Sequence, residues 1–127
     1  MTGLTRDLPG DHLYIRATGE AGVRIGNSHY RRSLLVSREV LVEDWEPQSL
    51  AELQAAHFEA IFELEPDIVL LGVGARQQFL HPSRLAEFFR RGVGIEVMTS
   101  EAACRTFNIL ATEGRRVVAA LLPLDAE

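Results

Sequence analysis

The first part of the chain alternates short apolar runs with turn residues, a pattern typical of antiparallel β-structure. Leu13–Thr18 and Val23–Ile25 have strand character, and the glycines of Gly19–Gly22 between them favour a tight turn. These three segments predict a β-hairpin. Two further short strands are predicted at Leu34–Val36 and Val40–Val42.

From residue 50 onward, helical spacing alternates with compact apolar runs. Apolar positions from Leu50 to Leu64 recur at helical intervals, and Pro66 ends this predicted helix. Asp67–Leu71 is nearly all apolar, as in a strand that is covered on both faces. The pattern then predicts a helix from Pro82 to Gly92, a strand Ile95–Met98, a helix from about Glu101 to Glu113 and a strand Val117–Leu122.

This order of elements predicts a single α/β domain with a mixed sheet and helices packed on it. The strands Asp67–Leu71 and Ile95–Met98 should be parallel, with a right-handed crossover, and should form the centre of the sheet. Val117–Leu122 should lie close by. We assign residues 13–124 to this domain and expect the polar residues 1–12 to be flexible. Burial should be high at Ile68, Leu70, Val97, Phe107 and Leu110.

Charge and composition exclude several classes of function. The chain has 127 residues and a net charge of −5, so it offers no excess positive field to nucleic acid. All thirteen basic residues are arginine, which excludes a Schiff-base lysine and a Walker-type lysine. The one cysteine forms no intrachain disulfide, which fits a reducing compartment. We find no secretory signal and no apolar run long enough to insert in a membrane, and we therefore expect a cytoplasmic location.

A candidate ligand site lies where the predicted strands end. The loop after Asp67–Leu71 and the helix start after Ile95–Met98 should open at the same sheet edge. Backbone N–H groups there could hold an anion, with arginine and amide side chains beside them. The alternative is structural, with glycines that only allow a tight turn or close packing and a helix face that is solvated. The candidate residues are Gly72, Gly74, Arg76, Gln77, Ser100, Arg105 and Asn108.

No catalytic set and no metal or cofactor site is predicted. Cys104 has no basic partner near it in sequence and lies beside the apolar stripe of its helix, so we expect a buried, unreactive thiol. The four histidines are scattered without metal-ligand spacing. Glu96 is an unusual charge within an apolar strand. It either points outward at a sheet edge or pairs with one of the candidate arginines.

The second half of the chain resembles a known family. The segments Leu70–Phe79, Arg91–Met98 and Ala103–Leu110 together are similar to a family of small bacterial domains. The same family includes mitochondrial NADH dehydrogenase (complex I) assembly factor 3 and the adipogenesis-associated domain protein of animals. The resemblance implies a three-layer fold with a mixed central sheet, helices on one side of it and an antiparallel β-layer from the N-terminal half.

Two hypotheses for function follow. The resemblance implies a non-enzymatic accessory or assembly-type protein that binds a protein partner, which by analogy would be a component of a respiratory complex. The alternative is a protein that binds a small anionic metabolite, or an enzyme that acts on one, at the Gly72-Val-Gly74 loop. An exposed apolar patch away from this loop would favour the first hypothesis, and a deep pocket with convergent polar groups the second.

Overall fold

A computed structural model describes residues 12–127 of the chain. The predicted flexible segment 1–12 therefore lies outside the described residues except for His12, which is buried. The described part contains the strands β1 (Ile15–Gly19), β2 (Gly22–Ile25), β3 (Ser28–Tyr30), β4 (Leu34–Ser37), β5 (Leu41–Glu43), β6 (Ile68–Gly72), β7 (Gly94–Met98) and β8 (Val117–Leu121). Its α-helices are α1 (Glu59–Phe62), α2 (Ala86–Arg91) and α3 (Ser100–Thr112). Three 3₁₀ segments cover Leu50–Glu52, Ala55–Phe58 and Pro82–Leu85.

The N-terminal strands form a small antiparallel sheet in the order β1-β2-β3. The predicted hairpin is confirmed, because β1 pairs with β2 across the turn that joins Gly19 to Gly22. Gly22 has a φ of +96°, a conformation that glycine adopts without steric cost. The structure adds β3, which pairs with β2 from Ser28 to Tyr30. The N-terminal half thus supplies the predicted antiparallel β-layer.

The larger sheet has five strands in the order β5-β4-β8-β6-β7 and is mixed, as predicted. β6 is parallel to both β7 and β8, whereas β4 is antiparallel to β8 and β5. Placing Ile95–Met98 at the centre was wrong, since β7 is an edge strand and β8 takes the inner position beside β6. The physical reason lies in the side chains. Every residue of β8 is buried, as in an inner strand. β7 carries the exposed Glu96, which an edge strand can leave in contact with water.

The two faces of the five-stranded sheet bury separate clusters of apolar side chains. One face packs α3 together with the small sheet, in a cluster that includes Phe107 and Leu70. Placing the helices on one side of the sheet was wrong, because α3 shares its face with the N-terminal layer. The other face packs the 3₁₀ segments with α1 and α2, around Phe58 and Phe88, whose rings are 4.8 Å apart. Of the predicted core residues, Leu70 and Phe107 are fully buried, while Ile68, Val97 and Leu110 are only partly buried.

The segment from Leu50 to Leu64 is not the continuous helix that its spacing predicts. Two 3₁₀ turns and the single turn of α1 replace it, separated by extended backbone at Leu53 and Gln54. Local capping explains the breaks. The Ser49 hydroxyl accepts a hydrogen bond from the Glu52 N–H, and the His57 Nδ1 accepts one from the Gln54 N–H. The predicted apolar stripe is nevertheless buried, because these short turns still face the sheet.

The remaining helix ends follow the sequence signals. His81 caps the segment that starts at Pro82, and Gly92 ends α2 with a φ of +71°. The Thr99 hydroxyl caps α3 by accepting from the Ala102 N–H at 3.2 Å, and Gly114, with a φ of +84°, follows its end. These caps fix the directions in which β7 and α3 leave their turns, and they thereby position the candidate site.

Candidate functional site

Gly72 and Ser100 lie in direct backbone contact where β6 ends and α3 begins. A Cβ atom at Gly72 would lie 2.7 Å from the Ser100 Cα atom and 3.1 Å from a methyl group of Leu121. Both residues are buried. The predicted meeting of these two strand ends is therefore observed, and glycine is needed at position 72 because the helix start approaches so closely.

Ser100 connects three parts of the chain through hydrogen bonds. Its Oγ accepts from the Gly74 N–H at 2.9 Å and donates to the Leu122 carbonyl at 2.7 Å. Its own N–H donates to the Gly74 carbonyl at 2.9 Å. Gly74 has a φ of +105° and lies against Ala126 of the C-terminal segment. Each of these groups thus has a structural partner. Whether any of them also holds a ligand stays a prediction.

Asn108 faces the small sheet. Its side-chain oxygen accepts from the Ile15 N–H at 2.9 Å, and its side-chain NH₂ group donates to the Ile15 carbonyl at 2.8 Å. The amide therefore pairs with β1 as a neighbouring strand would, and it fastens α3 to the N-terminal layer. Asn108 lies two helical turns beyond Ser100, and both of these hydrogen bonds serve the fold.

The two candidate arginines are exposed and have different acidic neighbours. Arg76 lies 3.8 Å from Glu127, and Arg105 lies 3.6 Å from Glu101 one turn earlier in α3. Exposed pairs of this kind contribute little to stability. The remaining candidate, Gln77, donates through its side chain to the Val97 carbonyl at 3.3 Å. This hydrogen bond holds the loop after β6 alongside β7.

A surface cleft of about 340 Å³ opens beside the Gly72-Val-Gly74 loop. Among the described residues it is lined by Thr18, Gly19, Glu20, Gly74, Ala75, Thr99, Glu101, Leu124 and Asp125. Only Gly74 comes from the predicted set. Sequence reasoning missed the others because they come from separate segments, including the first hairpin and the C-terminus, that only the tertiary structure brings together. Three carboxylates contribute to the lining, so the cleft carries negative charge.

Cys104 is buried in the cluster between α3 and the sheet. Burial raises the pKa of its thiol to about 12, and the negative charge of Glu101 acts in the same direction. A thiol in this state holds its proton at neutral pH and is a poor nucleophile. The predicted buried position of Cys104 is therefore observed.

We expect native Cys104 to resist alkylation by iodoacetamide at neutral pH and to react readily once the chain is unfolded. Because burial raises the pKa of the Cys104 thiol from its ordinary value of 9.0 to about 12, the stability contributed by keeping this thiol protonated is fully present at neutral pH. That contribution is lost as the pH rises between these values. Mass spectrometry of protein treated with iodoacetamide measures how far Cys104 is alkylated in the folded and the unfolded chain. Rapid labelling of the folded protein would contradict this expectation.

Among the described residues, the other titratable side chains do not gather into a common site. No group of three or more His, Cys, Asp or Glu side chains in residues 12–127 is arranged around a common metal position. His57 caps a 3₁₀ turn and lies 3.3 Å from Glu46. Glu96 is exposed on β7 and forms no ion pair with another described residue. Of its two predicted states, the structure therefore selects the outward edge position.

The chain is a small mixed α/β domain in which hydrogen bonds of Ser100 to Gly74 and Leu122 join the end of β6 to α3 and β8. The chain belongs to the family described as "Protein of unknown function (DUF498/DUF598)", which matches residues 15–122. It is 34% identical to mouse NADH dehydrogenase [ubiquinone] 1 alpha subcomplex assembly factor 3 over 91% of this chain. That match covers 63% of the mouse protein, so the chain spans less than two thirds of this relative.

Solved bacterial structures share the whole fold. The NMR structure of Xanthomonas campestris XCC1710 is 38% identical, with a TM-score of 0.80, over 99% of this chain and 96% of that one. A crystal structure from Bordetella parapertussis is 34% identical, with a TM-score of 0.83, over 90% of this chain and 98% of that one. These matches confirm the family resemblance that the sequence predicts.

A further relative is named as a membrane protein. The chain is 26% identical to the "13 kDa major membrane protein" of Francisella tularensis over 69% of this chain and 72% of that protein. Within residues 12–127, no helix is both long enough and apolar enough to cross a bilayer.

Proposed function

We propose that this protein is a non-enzymatic accessory or assembly-type protein that acts by binding a protein partner. The observation that carries the proposal is Phe79, whose aromatic side chain is 81% exposed. Its loop is held by hydrogen bonds from Gln77 to β7 and from Gln78 to the Val73 carbonyl. Exposed aromatic side chains on fixed loops are typical anchors of protein interfaces, because little entropy is lost when they are buried.

The kinship with a named assembly factor supports the same proposal and indicates the kind of partner. By analogy with the mouse relative, we expect a component of a respiratory NADH dehydrogenase. Two more apolar side chains, Phe89 on α2 and Ile109 on α3, are also more than half exposed. We place the protein in the cytoplasm, where its single buried thiol needs no oxidising environment.

The alternative, a small anionic metabolite at the Gly72-Val-Gly74 loop, stays a prediction. A cleft is present there, but Glu20, Glu101 and Asp125 line it, and their negative charge opposes an anion. A titration with inorganic phosphate, observed at the Gly74 and Ser100 amides by NMR, tests this alternative. Saturable shifts that disappear in an Arg76→Ala, Arg105→Ala double variant would favour it over a protein partner.

The assembly proposal is tested by deleting the gene in the native organism. We expect less fully assembled NADH dehydrogenase on native gels and an accumulation of partial complexes, both corrected by the wild-type chain. The control is the Cys104→Ala variant, which changes a buried thiol outside the exposed surface and should also restore assembly. Normal amounts of the complex in the deletion strain would overturn the proposal for this partner.

A further inference from the structure

β7 forms one open edge of the five-stranded sheet. Within residues 12–127 it pairs with β6 alone. The Gly94 N–H donates to the Asp67 carbonyl at 2.9 Å, and the Met98 carbonyl accepts from the Val73 N–H at 2.8 Å. Both groups point toward the β6 side of the strand. Because successive residues of a strand direct their backbone groups to opposite sides, Ile95 and Val97 direct their N–H and carbonyl groups outward.

The outward groups of β7 are nearly all free. In the described part of the chain, the side chain of Gln77 donates to the Val97 carbonyl, and no other hydrogen bond reaches the outward groups of Ile95 and Val97. An edge with free donors and acceptors is a template for another strand, and proteins usually blunt or cover such an edge. Here a single amide side chain covers one acceptor.

Phe79 lies in the same loop, two residues after Gln77. Because Gln77 bonds to β7, its hydrogen bond brings this loop to the strand edge. Leu80, the next residue, is buried in the core and anchors the loop from the other side. Phe79 thus lies in a loop that is bonded to the open edge, and its ring is exposed. Its only described ring contact is an edge-on approach to His81, with 6.3 Å between the ring centroids.

We infer that the edge of β7 and the ring of Phe79 together bind an extended segment of a partner protein, which adds to the sheet as a sixth strand. This inference rests on the proposed function and names the surface through which it operates. The backbone groups of Ile95 and Val97 supply affinity that is independent of sequence, and the side chains beside them supply selectivity. Glu96, exposed and without an ion pair among the described residues, selects a segment with a lysine or arginine opposite it.

A second copy of this chain fits the edge less well. A twofold antiparallel pairing in which Ile95 of each copy bonds with Val97 of the other places the two Glu96 carboxylates directly opposite each other. Like charges in that position destabilise a strand pair. The net charge of −5 adds a general repulsion between copies. A basic segment of another protein has neither disadvantage.

The probe for this inference is a short synthetic peptide of alternating valine and threonine with one central arginine. We expect saturable NMR shifts at the Ile95 and Val97 amides and slower hydrogen exchange at both. The same peptide with a central glutamate should bind at least about tenfold more weakly, because it places two carboxylates together. The arginine peptide should not bind when N-methyl groups replace the backbone N–H donors that face β7.

Three variants locate the binding to this surface. Phe79→Ser and Glu96→Lys change exposed side chains, so the fold should survive while binding of the arginine peptide falls. Ile95→Pro removes a donor that the fold does not use and blocks the edge. Ile109→Ser, an exposed apolar change on α3, is the matched control and should bind as the wild type does.

Shifts confined to other surfaces, unchanged binding in all three variants, or a dimer that forms through β7 would each overturn this inference. The outcome is separate from that of the gene deletion. Peptide binding at β7 together with normal NADH dehydrogenase assembly would support the docking surface and overturn the proposed respiratory partner. Defective assembly without peptide binding at β7 would support the respiratory partner and overturn the docking surface.

Discussion

Replacing Ser100 by alanine is expected to lower the free energy of unfolding by about 3 kcal/mol, because two buried backbone groups lose their partner. The Gly74 N–H and the Leu122 carbonyl both bond to the Ser100 hydroxyl, and Ser100 is fully buried. Water cannot readily replace the hydroxyl in so closed a position, so each group is left with its desolvation cost. Urea unfolding followed by circular dichroism measures the change.

The matched control for this prediction is Ser28→Ala, which changes an exposed serine on β3. We expect an effect within about 0.5 kcal/mol there, as for most surface substitutions. An equally small effect at Ser100 would mean that the junction between β6, α3 and β8 relaxes around the missing hydroxyl. It would also remove the structural explanation for the serine.

A second large loss of stability, about 2–3 kcal/mol, is expected for Gly72→Ala because the new methyl group overpacks the junction. Its Cβ would lie 2.7 Å from the Ser100 Cα atom, which belongs to the backbone and cannot rotate away. Either β6 or the start of α3 must shift. Thermal unfolding and the NMR shifts of the Ser100 amide report the two consequences.

Gly19→Ala is the control for Gly72→Ala. A Cβ at Gly19, the last residue of β1, would meet nothing within 4 Å, and its φ is not in the left-handed region. Alanine there should be neutral or stabilising by a few tenths of a kcal/mol, since it restricts the unfolded chain. If both glycines tolerate alanine equally, the close approach of the helix start to β6 is not what requires glycine at position 72.

These two predictions also separate structure from function at the candidate site. If Gly72 and Ser100 act only within the fold, variants that retain the fold should bind the arginine peptide as the wild type does. Phe79→Ser should show the opposite behaviour, with an unchanged unfolding free energy and reduced peptide binding. Loss of peptide binding in folded Ser100→Ala or Gly72→Ala protein, with binding retained in Phe79→Ser, would place the partner at the junction instead of the β7 edge.

The sequence by itself determined the elements whose signals are local. The glycine turn and alternating pattern determine the first hairpin, and the caps at His81, Gly92 and Thr99 determine the helix ends. The apolar run before Gly72 determines a strand buried on both faces, because such a run has no polar side to expose. The family resemblance was also readable, since it depends on residue identities alone.

The tertiary structure alone decided which strand lies inside the sheet and which lies at its edge. Glu96 interrupts the apolar pattern of β7, whereas the pattern of β8 is uninterrupted. Only long-range pairing, however, places β8 between β6 and β4. It also decided which groups the candidate side chains bond within the fold. Asn108 and Ser100 look available for a ligand in sequence, but their hydrogen bonds are made to backbone groups from distant segments. Such partners are set by packing, so no local pattern can reveal them.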